Sequence, residues 1–236
     1  MTAQVQVFLP RILLETADVL AVDKPAGLAV IPGREGPSGD SLHERLQALR
    51  GERLWVVHRL DRDTSGVIVF ARTAAAHRTL SMAFEAGAVE KRYLALVEGA
   101  LSEPRVVDVA LVPARKGRMR PAAEGEEGKP ARTELRPVEG FGSRATLVEA
   151  APRTGRTHQI RVHLRTVGHP LVVDHQYGSK APFPPPPDSP LLSRTPLHAA
   201  QLEWRALPGL PDAVIRSELP ADMAAAVEWL RGGSSR

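Results

Sequence analysis

Nine largely polar, turn-prone residues, His58-Arg59-Leu60-Asp61-Arg62-Asp63-Thr64-Ser65-Gly66, sit between two short apolar runs. Leu54-Trp55-Val56-Val57 precedes them and Val67-Ile68-Val69-Phe70 follows. Both runs are brief and rich in β-branched or aromatic residues, as buried strands are. A loop hung between two buried strands is held at both ends and can keep reactive groups in fixed positions. This one carries two carboxylates, two guanidiniums, an imidazole and two hydroxyls, more chemistry than a connector needs.

The rest of the chain alternates strands and helices without internal repeats. Val19–Val22 reads as a strand ending in the turn Asp23-Lys24-Pro25-Ala26-Gly27, and the apolar run Leu28–Ile31 is closed by Pro32-Gly33. Ser41-Leu42-His43-Glu44 is a capping box that starts a helix running to about Arg50. Thr73 caps a second helix that reaches Glu85 and stops at Gly87. Strands are expected over Arg92–Glu98, Val106–Val112, Thr133–Val138, Arg144–Glu149, Leu197–Trp204 and Val214–Leu219, with a closing helix over Pro220–Leu230. Lys116–Lys129 mixes charges and glycines and reads as a surface loop. Ala181–Pro190, with six prolines, reads as a stiff spacer. Strands outnumber helices and often follow one another directly. The expected fold class is therefore α+β, a single domain with a mainly antiparallel mixed sheet and flanking helices. Its expected limits are a lead-in over 1–15, the domain over 16–230 and a frayed tail over 231–236.

Composition narrows the function. The 236 residues include no cysteine, which excludes disulfides, a thiol nucleophile and cysteine-ligated zinc. Arg11 and Glu15 interrupt the N-terminal apolar stretch before it reaches signal-peptide length, and no window approaches a membrane span. A cytoplasmic protein is expected. The net charge is +4, and the basic residues other than Lys24, Lys91, Lys116, Lys129 and Lys180 are all arginine. Arginine suits phosphate and can stack on bases, although a compositional bias accounts for much of the excess.

A second dense segment, Thr154-Gly155-Arg156-Thr157-His158-Gln159-Ile160-Arg161-Val162-His163-Leu164, reads as a helix stopped by Gly168 and Pro170. Thr154–Thr157 would form its first turn, a natural anion site. Arg161 would lie about 100° from the centre of the apolar stripe, at the boundary where a guanidinium reaches a buried acid.

At this point the residues resemble a known family. His58-Arg59-Leu60-Asp61, with Thr64-Ser65-Gly66, is similar to the signature of the RluA-type RNA pseudouridine synthases. Lys91-Arg92-Tyr93, Thr154–His163, Gly168-His169-Pro170-Leu171 through Asp174, Tyr177-Gly178, Leu197-His198-Ala199 and the opening Asp23–Leu28 turn match in order, covering roughly residues 16–219. Val172-Val173 stands where leucine-glycine is usual. The resemblance implies that uracil is detached from ribose C1′ in RNA, turned and rejoined through C5, with no cofactor and no metal. It implies that Asp61 is the essential carboxylate, Tyr93 lies against the target base, Arg161 pairs with Asp61, and Arg59 fills the gap left by the flipped base. Tyr93 is also a candidate to help remove the C5 proton. His58, Thr64, Arg156 and His158 are candidate substrate contacts. Attack on C1′ and removal of the C2′ proton are both open to Asp61. The implied partner is ribosomal or transfer RNA, taken by a monomer. Only about 15 residues precede the resemblance, so substrate choice is expected to rest on this domain and its loops.

Three other readings compete. A non-catalytic RNA-binding protein would keep the arginines without needing Asp61. A metal-dependent hydrolase would use His158, His163, His169 and Asp174, although their spacing fits no zinc pattern. A serine hydrolase built on Ser65, His58 and Asp61 lacks a nucleophile elbow.

Overall fold

The structure, a computed structural model, describes residues 10–32, 41–184 and 191–232. The chain opens with β1 (Ile12–Glu15), β2 (Val19–Lys24), α1 (Leu42–Arg50), β3 (Trp55–Val56), β4 (Ser65–Ala71) and α2 (Ala74–Glu85). It continues through β5 (Glu90–Glu98), β6 (Arg105–Asp108), β7 (Leu111–Pro113), β8 (Met119–Pro121), β9 (Arg132–Gly140) and β10 (Ala145–Pro152). It closes with α3 (Gln159–Thr166), β11 (Leu197–Trp204), β12 (Ala213–Arg216) and α4 (Ala221–Gly232). Among the described residues, ten of these strands form one sheet in the order β1-β2-β4-β11-β5-β10-β9-β6, with β3 beside β4 and β12 beside β11. β4 and β11 run parallel; the other pairs are antiparallel. The α+β class and the mixed, mainly antiparallel sheet agree with the sequence.

The helices form where local chemistry starts them. Ser41 accepts from the Glu44 N–H while the Glu44 carboxylate accepts from the Ser41 N–H, which satisfies two orphan donors of α1. The Thr73 hydroxyl accepts from the Ala76 N–H at the head of α2. Alternating side chains then send each strand into two cores. Val67, Val69 and Ala71 of β4 pack with Ala76, Leu80 and Ala83 of α2. Ile68 and Phe70 pack with Leu42 and Leu46 of α1. Ala95 and Val97 of β5 meet Ile160 and Leu164 of α3, whereas Leu96 meets Met223 and Val227 of α4. A strand covered by helices on both sides must be apolar throughout, and β4 is buried along its whole length.

Register places the polar loop. Gly66, at its end, pairs with Ala199 of β11, and Ala199 pairs with Tyr93 of β5. The loop therefore opens beside Tyr93, from which it is separated by almost thirty residues of chain. Gly66 has φ +108°, and a Cβ there would lie 2.3 Å from the Ala199 carbonyl oxygen.

Several local expectations are corrected. Val106–Val112 is two strands, because after β6 has paired with β9 the chain turns away and β7 pairs with β8. β8 lies inside the expected Lys116–Lys129 loop. Its three residues show no apolar alternation and are held by that pairing and by the Met119 N–H bonded to Tyr177 Oη. Thr154–Thr157 is not the first turn of α3, which begins at Gln159 after His158 at φ +55°. The Gln159 Oε1 accepts from the Arg156 N–H and the Thr154 hydroxyl, so the expected anion site is already occupied by a side chain. β1 falls within the expected 1–15 lead-in, and Arg231 and Gly232 close α4 instead of opening the tail. Residues 1–9, Gly33, most of the proline-rich stretch (185–190) and 233–236 lie outside the described residues.

Gly66→Ala should bring a clash with the β11 backbone and a strained φ. The expected loss is roughly 3 kcal/mol, or about 6–12 °C in Tm at this chain length. A thermal melt of the variant measures it.

Candidate active site

The centre of the loop after β3 is held through its backbone carbonyls. Lys24 is completely buried, and its Nζ donates to the carbonyls of Pro25 (2.8 Å), Leu28 (2.7 Å) and Arg62 (2.8 Å). Burial lowers the Lys24 pKa to about 7, against the opposing pull of Asp63 and Asp61. From the other side Arg194 donates from Nη1 to the Asp63 carbonyl at 3.2 Å and grips Asp222 through Nε and Nη2 at 2.7 and 2.8 Å. The Thr64 N–H donates to the Asp61 carbonyl at 3.1 Å, and Leu60 is buried with α1. Asp61 is half-buried, between the exposed Arg59 and Arg62.

Arg161 meets it from α3. Its Nη1 donates to Asp61 Oδ2 at 3.0 Å. Its Nε and Nη2 donate to Asp174 at 2.8 Å each, and Nη2 also reaches Gln176 Oε1 at 3.1 Å. The guanidinium lies over the Tyr177 ring, 4.9 Å from its centroid. Asp174 is 1% exposed and accepts from the Gln176 and Tyr177 N–H groups as well. Burial pushes the Asp174 carboxyl up. The Arg161 hydrogen bonds and charge, with the two backbone donors, outweigh burial and hold it below the ordinary carboxylate value. Burial likewise opposes the charge on Arg161, but Asp174 and Asp61 more than offset it.

His158 completes the surround of Asp61. Its Nδ1 is 2.8 Å from Tyr177 Oη, and its Nε2 is 3.8 Å from Asp61 Oδ2. Tyr177 Oη accepts from the Met119 N–H at 2.7 Å, so its own proton is free for Nδ1. That leaves the imidazole proton on Nε2, facing the carboxylate, the electrostatically favoured tautomer. Burial keeps His158 neutral despite Asp61.

All eight expected site residues line one cavity of about 600 Å³, large enough for a nucleotide base and sugar. Asp61, Tyr93 and Arg161 converge there with Arg59, Arg156 and His158. Burial, then the Asp61 charge, raises the Tyr93 pKa, so its phenol stays protonated. Two of the eight are more structural than the sequence suggested. His58 Nε2 accepts from the Val69 N–H of β4 at 3.0 Å, its ring stacks on Phe84 at 4.4 Å, and burial lowers its pKa to about 3. Thr64 is buried under the loop. Arg156 donates from Nε to the Pro130 carbonyl and is otherwise exposed.

The competing constellations do not assemble. His163 is bonded to Thr133 and the Val109 carbonyl, His169 to the Glu98 carbonyl, and Asp174 to Arg161. Among the described residues no three His, Asp or Glu side chains converge as metal ligands. Ser65 Oγ bonds His198 at 3.0 Å, not His58. Sequence reasoning missed Asp174 as the anchor of Arg161, as well as Tyr177, Lys24 and Arg194. The family landmarks marked Asp174 and Tyr177 as positions, but nothing local told what they would touch.

The family model described as RNA pseudouridylate synthase matches residues 18–166. The chain is 41% identical to the ribosomal large subunit pseudouridine synthase D of Nitrosomonas europaea, over 94% of this chain and 65% of that protein. It is 36% identical to the dual-specificity RNA pseudouridine synthase RluA of Vibrio vulnificus, over 82% of this chain and 77% of that one. The solved human RNA pseudouridylate synthase domain containing 1 superposes with a TM-score of 0.72 at 26% identity, covering 98% of both chains. With this sheet, this loop and these matches, the chain belongs to the RNA pseudouridylate synthase family. Its relatives are of the RluA type that the motifs resemble.

Arg161→Ala leaves the Asp174 carboxylate buried and unpaired, which should cost roughly 3–5 kcal/mol. Asp174 has a depressed folded-state pKa, so its contribution is present above the ordinary carboxylate range and lost as pH falls through the depressed value. The stability gap between wild type and variant should therefore narrow on acidification. Chemical denaturation at neutral and acidic pH reads both effects.

Proposed function

We propose that this protein isomerises uridine to pseudouridine in structured RNA, of the ribosomal or transfer class. The N1–C1′ bond breaks, the uracil turns, and C5 bonds to C1′; the C5 proton leaves and N1 takes one up. The product has the atoms of the substrate and no change of oxidation state, so the chemistry asks for an anion at the sugar, a surface for the base and cations for the phosphates. Asp61 supplies the anion. Attack on C1′ and removal of the C2′ proton both use a carboxylate oxygen, and Arg161 orients that carboxylate by donating from Nη1 to Asp61 Oδ2 at 3.0 Å. That contact is the observation that carries the reading.

Tyr93 lies on β5, one strand beyond the β11 neighbour of β4, lines the same cavity as Asp61 and offers its ring to the displaced base. Stacking at about 1–3 kcal/mol per base offsets much of the few kcal/mol needed to flip a nucleotide. Arg59, exposed beside Asp61, is placed to fill the vacated stack. His158 and Arg156 border the same space. No helix among the described residues is long and apolar enough to cross a membrane. A cytoplasmic monomer that meets RNA through this cavity completes the proposal.

Asp61→Asn should keep RNA binding and lose isomerisation by at least about 10³-fold, equivalent to about 4 kcal/mol of barrier. Tritium release from RNA carrying 5-tritiated uridine measures the activity. Retained release by the variant overturns the role of Asp61. RNA binding by the wild type without any release would instead favour the non-catalytic reading.

A further inference from the structure

The mechanism above leaves one buried cation unused. Lys91 lies on β5 two residues before Tyr93, so the two side chains leave the same face of the strand about 7 Å apart. It lines the same cavity as Asp61 and is 8% exposed. Among the described residues its Nζ makes one hydrogen bond, to the Thr154 carbonyl at 3.4 Å, and no carboxylate pairs with it. Burial, then the charge of Arg153, lowers its pKa. A buried ammonium with one long hydrogen bond is costly to maintain, and folded proteins pair such groups.

The surroundings identify the missing partner. Arg59 and Arg156 line the cavity and also lack a carboxylate among the described residues, whereas Arg153 is matched by Glu134 at 2.9 Å. A neutral uracil carbonyl would satisfy one N–H of Lys91 but not its charge, and would leave the repulsion of Arg153 in place. An anionic oxygen answers both.

We propose that Lys91 is a phosphate-binding residue, receiving a backbone phosphodiester oxygen of the RNA next to the nucleotide flipped against Tyr93. The proposal rests on the reading of the cavity as the site of RNA isomerisation. In the free protein Lys91 is held at the expense of stability, and the phosphate repairs its hydrogen bonding and its charge on binding. Tyr93 then fixes the base and Lys91 the adjoining backbone, both from one strand.

The test compares wild type, Lys91→Met and Lys91→Arg. Tm is measured by thermal melting, and affinity for an in vitro transcript of large-subunit ribosomal RNA by filter binding across a potassium chloride series. Lys91→Met keeps much of the side-chain volume without the charge. It is expected to melt no lower than wild type, to bind RNA roughly tenfold more weakly at low salt, and to lose about 0.7–0.9 from the slope of log K against log salt, the share of one phosphate contact. Lys91→Arg is expected to retain the wild-type slope. A Lys91→Met protein that melts lower or fails to fold makes the role structural and overturns the proposal. So does an unchanged slope, including the case in which kcat alone falls, which would assign Lys91 to the base. Tritium release by the wild type is the separate control: its absence overturns the isomerase reading, whereas the salt slopes judge Lys91.

Discussion

A single guanidinium organises the site. Arg161 is nearly buried, and a charge in that position is tolerated only when its donors are met. Asp174 meets two of them in a fork, Gln176 a third, and the Tyr177 face covers the plane. Because that side is saturated, the remaining Nη1 has one orientation, toward Asp61. The buried pair of Arg161 and Asp174 is thus a device for aiming a cation, and Asp61 receives a partner whose direction is set by residues remote from it in the chain. A pair of this kind adds little net stability over an apolar equivalent, but losing either member leaves an uncompensated charge.

The proposed acid itself is placed by the same economy of cations. Lys24 and Arg194 bind the loop through the backbone carbonyls of the two residues that follow Asp61, Arg62 and Asp63. Carbonyls exist whatever the side chains, so these two cations secure the loop's shape without using its carboxylates, while His58 and Ser65 anchor its ends through Val69 and His198. Backbone pairing of Gly66 with Ala199, and of Ala199 with Tyr93, then carries the loop's position across three strands to the aromatic ring. The His158–Tyr177–Met119 chain adds a tie from the opposite wall, linking the β7–β8 hairpin to the carboxylate.

Much of this was legible before any coordinates. The capping box at Ser41, the Thr73 cap and the β-branched run of β4 declare their elements through local chemistry, and those elements appear where expected. Elements held by distant partners were not legible. β8 shows no alternation and exists because β7 and Tyr177 hold it. The turn before α3 depends on Gln159 folding back onto Thr154 and Arg156, a competition between side chain and backbone that periodicity does not report. His58 is a similar case: it reads as a reactive group in a polar loop, but it receives a β4 N–H and stacks on α2.

By itself the sequence determined the α+β alternation and the two polar segments, because helix caps and strand runs are local properties of the chain; that Asp61, Tyr93 and Arg161 share one site was implied only by the resemblance of its motifs to a family. Only the tertiary structure decided that Asp174 would orient Arg161, that two cations would hold the loop by its carbonyls, and that Lys91 would be buried in the cavity with no carboxylate partner among the described residues. Those outcomes depend on which groups lose water together, and burial is a property of the packed whole.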